Sequence, residues 1–113
     1  MLAIKVSIAR WVSDDFPGIV ECNLIDRFGR NWRFVEKVPV VTEQSLGSDS
    51  QYPQPGAIAC QVTSRGQDGT GRETAEVDTS IPWGIASVEG ASHFEVFGDQ
   101  VDAIRYRQNS SRS

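Results

Sequence analysis

The sequence is short of the residues that most often carry out catalysis or bind metals. Its 113 residues include a single histidine, His93, and two cysteines, Cys22 and Cys60. The cysteines are far apart along the chain, so there is no Cys-x-x-Cys pair to hold zinc or to act as a redox site. The carboxylates do not follow the spacing of a calcium-binding loop either. We therefore expect no metal and no cofactor.

Long apolar runs are also absent. Uninterrupted hydrophobic stretches are only a few residues long, too short for a helix that crosses a membrane. Charged and polar side chains interrupt the first eleven residues, unlike the apolar stretch of a secretory signal. The expectation is a cytoplasmic protein in which Cys22 and Cys60 are buried, reduced thiols.

Helical periodicity is weak throughout, whereas apolar and polar residues alternate in several short runs. Six segments alternate in this way: 2–8, 19–26, 31–38, 57–65, 73–79 and 92–97. Alternation is typical of strands with one buried face, and the short connections favour antiparallel neighbours. The sequence therefore predicts a mainly β fold within residues 1–107. This would be a single small antiparallel β-sandwich or partly open β-barrel of about six strands, followed by a disordered tail at 108–113.

Two aromatic residues in connecting segments are candidate contact residues. Tyr52 lies in the longest polar stretch, 42–56, where we expect an exposed side chain and a helical turn near 42–46. Trp83 lies between Pro82 and Gly84, in a corner that could present it as a binding hot spot. Because isoleucines flank this corner, we favour the alternative that Trp83 plugs an open end of the barrel.

The net charge of −4 is unevenly distributed. Residues 1–67 carry seven basic and seven acidic side chains, but residues 68–102 carry eight acids and a single arginine. Glu76 and Asp78 should face solvent together, whereas Glu73 shares the parity of buried positions. An acidic surface disfavours nucleic acid and suits a basic partner, although it is also a common solubilising device.

Catalytic patterns are weak. His93 has no sequence neighbours at a spacing that assembles a catalytic triad, and a lone strand histidine is more often a surface or hydrogen-bonded residue than a catalyst. The glycine-rich stretch 66–71 lacks the lysine and helix of a phosphate-binding loop, so a hairpin turn is the better interpretation.

Four stretches resemble a family of short uncharacterised bacterial proteins. They are FVEKVPVVT (34–42), YPQPGAIACQV (52–62), VDTSIPWGIASVEG (77–90) and FEV (94–96). The resemblance would extend over most of the chain, from about Trp11 to Val101. It implies a bacterial, cytoplasmic, single-domain protein and transfers no activity and no catalytic residue.

Three classes of function remain open. The first is a non-catalytic protein-binding domain, in its sharper form an immunity or antitoxin-like protein that masks a basic partner. Its candidate contacts are Trp83, Tyr52, Glu73, Glu76 and Asp78. The second is a small-ligand-binding β-barrel that opens near the 42–56 loop and Trp83. The least favoured is an enzyme that uses His93 and carboxylates. No nucleic acid or membrane partner is expected.

Overall fold

The computed structural model describes residues 1–104 and is mainly β. Its elements are β1 (Leu2–Ser13), β2 (Ile19–Ile25), β3 (Asn31–Lys37), α1 (Val38–Val41), β4 (Gln54–Gln67), β5 (Glu73–Asp78), β6 (His93–Phe97) and β7 (Val101–Ala103). A short 3-10 turn, Gly98–Gln100, joins β6 to β7. The predicted tail at 108–113 lies outside the described residues.

The strands form one antiparallel sheet in the order β3-β2-β1-β4-β5-β6, which curls into a half-barrel. β1 is central, since Leu2–Ile8 pairs with β4 and Ser7–Ser13 pairs with β2. The long β4 belongs to both halves: its first part pairs with β1 and Gln61–Gln67 pairs with β5. The prediction of a mainly β, antiparallel domain is confirmed, in its form as a partly open barrel.

Aromatic side chains close the half-barrel over its core. Phe34 of β3 is fully buried, and its ring meets the ring of Phe94 in β6 edge-on at 5.7 Å between centroids. Trp32 meets the same ring at 5.2 Å. β3 and β6 are the two outer strands of the sheet, so these contacts join its ends and bury the interior.

Backbone hydrogen bonds reinforce the same closure. The N–H of Arg27, in the β2–β3 turn, donates to the carbonyl of Glu95 in β6 at 2.9 Å. The N–H of Val88 donates to the carbonyl of Arg33 at 2.7 Å. Groups on the outer strands are thereby satisfied within the chain, and the β2–β3 turn is held against β6.

Three turns in the chain share one construction. Residues 26–30, 68–72 and 87–91 each begin with Asp or Ser and have glycine at the fourth position. The glycines take positive φ angles of 85° (Gly29), 87° (Gly71) and 92° (Gly90), which an L side chain rarely adopts. In the second turn, Asp68 Oδ1 accepts hydrogen bonds from the N–H groups of Thr70 and Arg72. The 66–71 stretch is therefore a hairpin turn, as predicted.

Some local predictions are corrected. The helical turn lies at Val38–Val41 and not at 42–46, because Pro39 suits the first turn of a helix and Thr42 is already extended. β7 has only three residues and was not predicted. Among residues 1–104, no helix is long and apolar enough to cross a membrane.

Candidate functional site

An open groove lies between the β2–β3 turn and the β5–β6 hairpin. Its volume is about 320 Å³. The buried Val77 and Phe94 and the half-buried Trp32 give it an apolar base. The remaining lining residues are Asp26, Phe28, Thr63, Glu76, His93 and Glu95. We call this feature the acidic groove, because three of these six carry carboxylates.

Asp26 holds one wall of the acidic groove in place. Its Oδ1 accepts hydrogen bonds from the N–H groups of Phe28 and Arg30, each at 2.9 Å. Its Oδ2 accepts a hydrogen bond from Trp32 Nε1 at 3.0 Å. A nearly buried carboxylate is thus satisfied by three donors, and it positions both aromatic residues of the wall.

Two aromatic rings at the groove already make cation–π contacts with arginines of the same chain. The guanidinium carbon of Arg27 lies 4.2 Å from the centroid of Phe28, and that of Arg30 lies 3.7 Å from Trp32. Phe28 nevertheless remains 64% exposed. A large ring surface is therefore open to a further partner at the mouth of the groove.

Two glutamates of the groove lie opposite each other. Glu76 of β5 and Glu95 of β6 are register partners, and they face away from the buried Val77–Phe94 pair. Glu95 Oε2 lies 3.6 Å from Arg27 Nε, whereas Glu76 is exposed and has no ion pair within residues 1–104. Like charges directly opposite each other in a sheet are unfavourable, so this pair favours binding a cation.

Asp78 is nearly buried, at 7% exposure, so the prediction that it faces solvent is wrong. It ends β5, and its side chain turns back to accept hydrogen bonds from the Ser80 hydroxyl at 2.6 Å and the Ser80 N–H at 2.9 Å. Asp78 Oδ2 also lies 3.3 Å from His93 Nε2. The bonds from Ser80, and to a lesser degree His93, hold the pKa of Asp78 below its ordinary value. Asp78 is therefore a structural residue of the turn.

Glu73 and Glu76 are both exposed on β5. Glu76 faces solvent, as its parity predicts. Glu73 shares the parity of the buried Ala75 and Val77 but is the first residue of the strand, opposite exposed Gln67, where the core has ended. Only Glu76 lines the acidic groove.

A hydrogen-bonded chain of serine, histidine and aspartate is present, which the sequence did not reveal. Ser92 Oγ lies 3.3 Å from His93 Nδ1, and the opposite ring nitrogen faces Asp78. However, the His93 side chain is 73% exposed, and Ser92 does not line the groove. A molecule in the groove would meet the imidazole but not the hydroxyl, which favours binding over nucleophilic catalysis.

The two aromatic candidates do not share a site. Trp83 is 44% exposed and borders a shallow recess with Pro39 and Val40, while its neighbour Ile85 is buried. Ile85 is therefore the residue of this corner that packs in the core, whereas Trp83 remains partly exposed and does not plug the barrel as we expected. Tyr52 is half-buried against the core, and its hydroxyl donates to the Gly47 carbonyl at 2.8 Å. The expectation of an exposed Tyr52 is wrong, because the ring closes its own loop.

Most acids of the 68–102 region already have partners. Asp68 and Asp78 accept local hydrogen bonds, and three others form ion pairs: Glu89 with Arg33, Glu95 with Arg27, and Asp99 with Arg72. Within the described part of the chain, Asp68, Glu73, Glu76 and Asp102 make no ion pair with a basic side chain, and of these four only Glu73 and Glu76 accept no hydrogen bond either. The charge open to a partner is therefore more local than the sequence suggests.

A larger cavity, of about 420 Å³, lies beside β1 and β4. Thr42, Glu43 and Pro55 line it together with Lys5, so both ends of the 42–56 loop border the opening. Trp83 does not line it. The 42–56 loop therefore remains part of the ligand-binding alternative, whereas Trp83 does not.

The cysteines do not form a reactive site. Both are buried, and neither is in a disulfide, as predicted. Burial, with smaller contributions from Glu36 and Glu21, raises the pKa of Cys22 to about 12. Burial raises the pKa of Cys60 to about 11. Thiols held this firmly in the neutral form are poor nucleophiles and poor metal ligands.

Comparison with known proteins gives no indication of the function. No family model, no curated protein and no solved structure matches this chain.

Proposed function

We propose that this domain is a non-catalytic binding module that recognises a basic segment of another protein through the acidic groove. The single observation behind the proposal is the placement of Glu76. Glu76 lines the acidic groove opposite Glu95, on the face of the sheet away from Val77 and Phe94, and has no ion pair among residues 1–104. A basic partner would relieve the repulsion between the two glutamates and cover the exposed ring of Phe28.

The charge around the groove argues for protein and against nucleic acid as the partner. Phosphate groups would meet carboxylates, whereas binding to nucleic acid requires clustered lysine and arginine. In its sharper form, the proposal is an immunity or antitoxin-like protein of the bacterial cytoplasm, which masks a basic partner. The open groove suits a side chain projecting from a folded surface.

The test uses capture of partners from the native cell extract, followed by association kinetics with whatever protein is retained. Glu76→Lys and Glu73→Lys form a matched pair, since both residues are exposed on β5 and neither has an ion pair within residues 1–104. Only Glu76→Lys should slow association, by about two- to fivefold at low salt, and the difference should shrink as salt screens the charges. Reversal of Asp78 is unsuitable, because it would break the contacts with Ser80.

Two results would contradict this reading. Equal slowing by both substitutions would assign the effect to the overall field of the protein and not to the groove. An unchanged rate for Glu76→Lys at low salt would remove the groove from the interface altogether.

A second candidate function is the binding of a small molecule in the 420 Å³ cavity beside the 42–56 loop. Its mainly apolar lining favours it, because ligand sites combine an apolar wall with few polar groups; among residues 1–104 the charged groups that line it are Lys5, Glu43 and Asp102. Native mass spectrometry of the purified protein should then show a retained small molecule. Ala57→Phe, which fills the cavity from β4, should release it, whereas Glu76→Lys should not.

A further inference from the structure

The ligand class of the acidic groove can be narrowed further. On the basis of the proposed function, we infer that the groove binds the guanidinium group of an arginine side chain, stacked on Phe28 with Glu76 as its counter-ion. The inference depends on the charges of the groove, on the exposed ring and on the way this chain treats its own arginines.

The charges leave room for one more cation. Asp26 is satisfied by three N–H donors, and Asp78, beside the groove, is satisfied by Ser80 and His93. Glu95 has Arg27 as its counter-charge. Among the carboxylates that line the groove, Glu76 alone has neither an ion pair nor a hydrogen bond to a donor of residues 1–104.

Arg27 and Glu95 are far enough apart that the Glu95 carboxylate can also bind a second cation. The 3.6 Å separation is too long for a directed hydrogen bond, and the buried Nε of Arg27 has no hydrogen-bond partner in the described structure. Glu95 therefore keeps acceptor capacity, and its register partner Glu76 lies beside it on the same face of the sheet. A planar guanidinium, with five N–H donors, can bond to both carboxylates, which a compact ammonium does less well.

The exposed ring supplies the second contact. Phe28 is held in position by the bond from its N–H to Asp26, yet its ring is 64% exposed. Three arginines of this chain already stack on aromatic rings, at 4.2, 3.7 and 3.4 Å from the ring centroids. Stacking on aromatic faces is more frequent for arginine than for lysine, so ring and carboxylates together favour a guanidinium.

The experiment is a titration of the full chain, followed by ¹H–¹⁵N correlation spectra. The probes are the Nα-acetyl methylamides of arginine, of lysine and of citrulline, which has nearly the shape of arginine but no charge. Arginine should shift the Trp32 indole N–H and the amides of Phe28, Glu76 and Glu95. Lysine should shift them less at equal concentration, and citrulline should leave them in place.

Matched variants locate the contacts. Glu76→Gln should weaken binding of the arginine probe by up to about fivefold, the range of a single exposed ion pair, and Glu73→Gln should leave it unchanged. Phe28→Leu should reduce the preference for arginine over lysine, because it removes the ring and keeps an apolar side chain. The spectra of each free variant show directly whether its fold is retained.

Three results would overturn the inference: shifts spread over all acidic residues, equal losses in Glu76→Gln and Glu73→Gln, or equal binding of citrulline. This outcome can be separated from that of the proposed function. A captured protein whose association depends on Glu76, together with no response to the arginine probe, refutes the guanidinium site alone. A groove-specific response to arginine without any captured protein supports the site and refutes the proposed partner class.

Discussion

Chemical modification of the two buried thiols tests the packing of the half-barrel. The perturbation is an alkylating reagent at pH 8, added with and without denaturant. Because the pKa of Cys22 rises from 9.0 to about 12, its thiolate population at this pH falls by about a thousandfold. The rise to about 11 at Cys60 corresponds to about a hundredfold. Since only the thiolate attacks the reagent, native labelling should be slow at both positions, and slower at Cys22.

Intact-mass spectrometry over time measures the extent of labelling, and the single substitutions Cys22→Ala and Cys60→Ala assign it to a residue. Both thiols should react at the rate of a free thiol once denaturant is present. If either reacted at that rate in the native protein, its burial in the sheet would be refuted. Equal slow rates at both positions would show that labelling requires global unfolding, which exposes the two thiols together.

Two further predictions concern the stability of the fold. Gly56→Ala should lower the free energy of unfolding by about 1–3 kcal/mol, since the new Cβ would lie 2.8 Å from Ile8 Cγ1 and 3.0 Å from a backbone oxygen. Gly69→Ala, which meets nothing within 4 Å, is the control, and equal midpoints in urea would contradict the packing argument. Asp78→Asn should destabilise the protein at neutral pH. Because the folded-state pKa of Asp78 is lowered, its stabilising effect is present above its ordinary value of 3.8 and lost as the pH falls through the folded-state value. Thermal unfolding of Asp78→Asn should therefore approach that of the parent protein in acid, and a pH-independent difference would refute this role for the carboxylate.

The fold class could be predicted from local patterns because each strand alternates within itself. Ile4, Val6 and Ile8 all face the core, as their parity requires. The parity rule failed at strand ends, where Asp78 turns back to Ser80 and Glu73 lies beyond the core. At such positions local hydrogen bonds and the extent of the core decide burial, and alternation carries no information about either.

The candidate site was harder to predict, because its walls come from distant parts of the chain. The turn at Asp26 and the strand pair of Glu76 and Glu95 meet only when the sheet curls. Sequence alone indicated an acidic region, but not that three of its eight acids pair with Arg27, Arg33 and Arg72. A signal for the wall was present in the turn DRFGR, whose first aspartate and fourth glycine are typical of a tight connection that exposes the residue between them.

The central position of β1 has a consequence for synthesis of the chain. β1 is made first, and the β2–β3 hairpin that follows can pair only with its Ser7–Ser13 part. The Leu2–Ile8 part waits for β4, which begins at Gln54, after the whole 42–53 stretch has been made. Until then, the Leu2–Ile8 part of β1, which becomes central in the finished sheet, is an apolar edge strand that can pair with other chains. The nascent protein is therefore most prone to aggregate before β4 emerges. The stability of the finished half-barrel does not protect the chain at that stage.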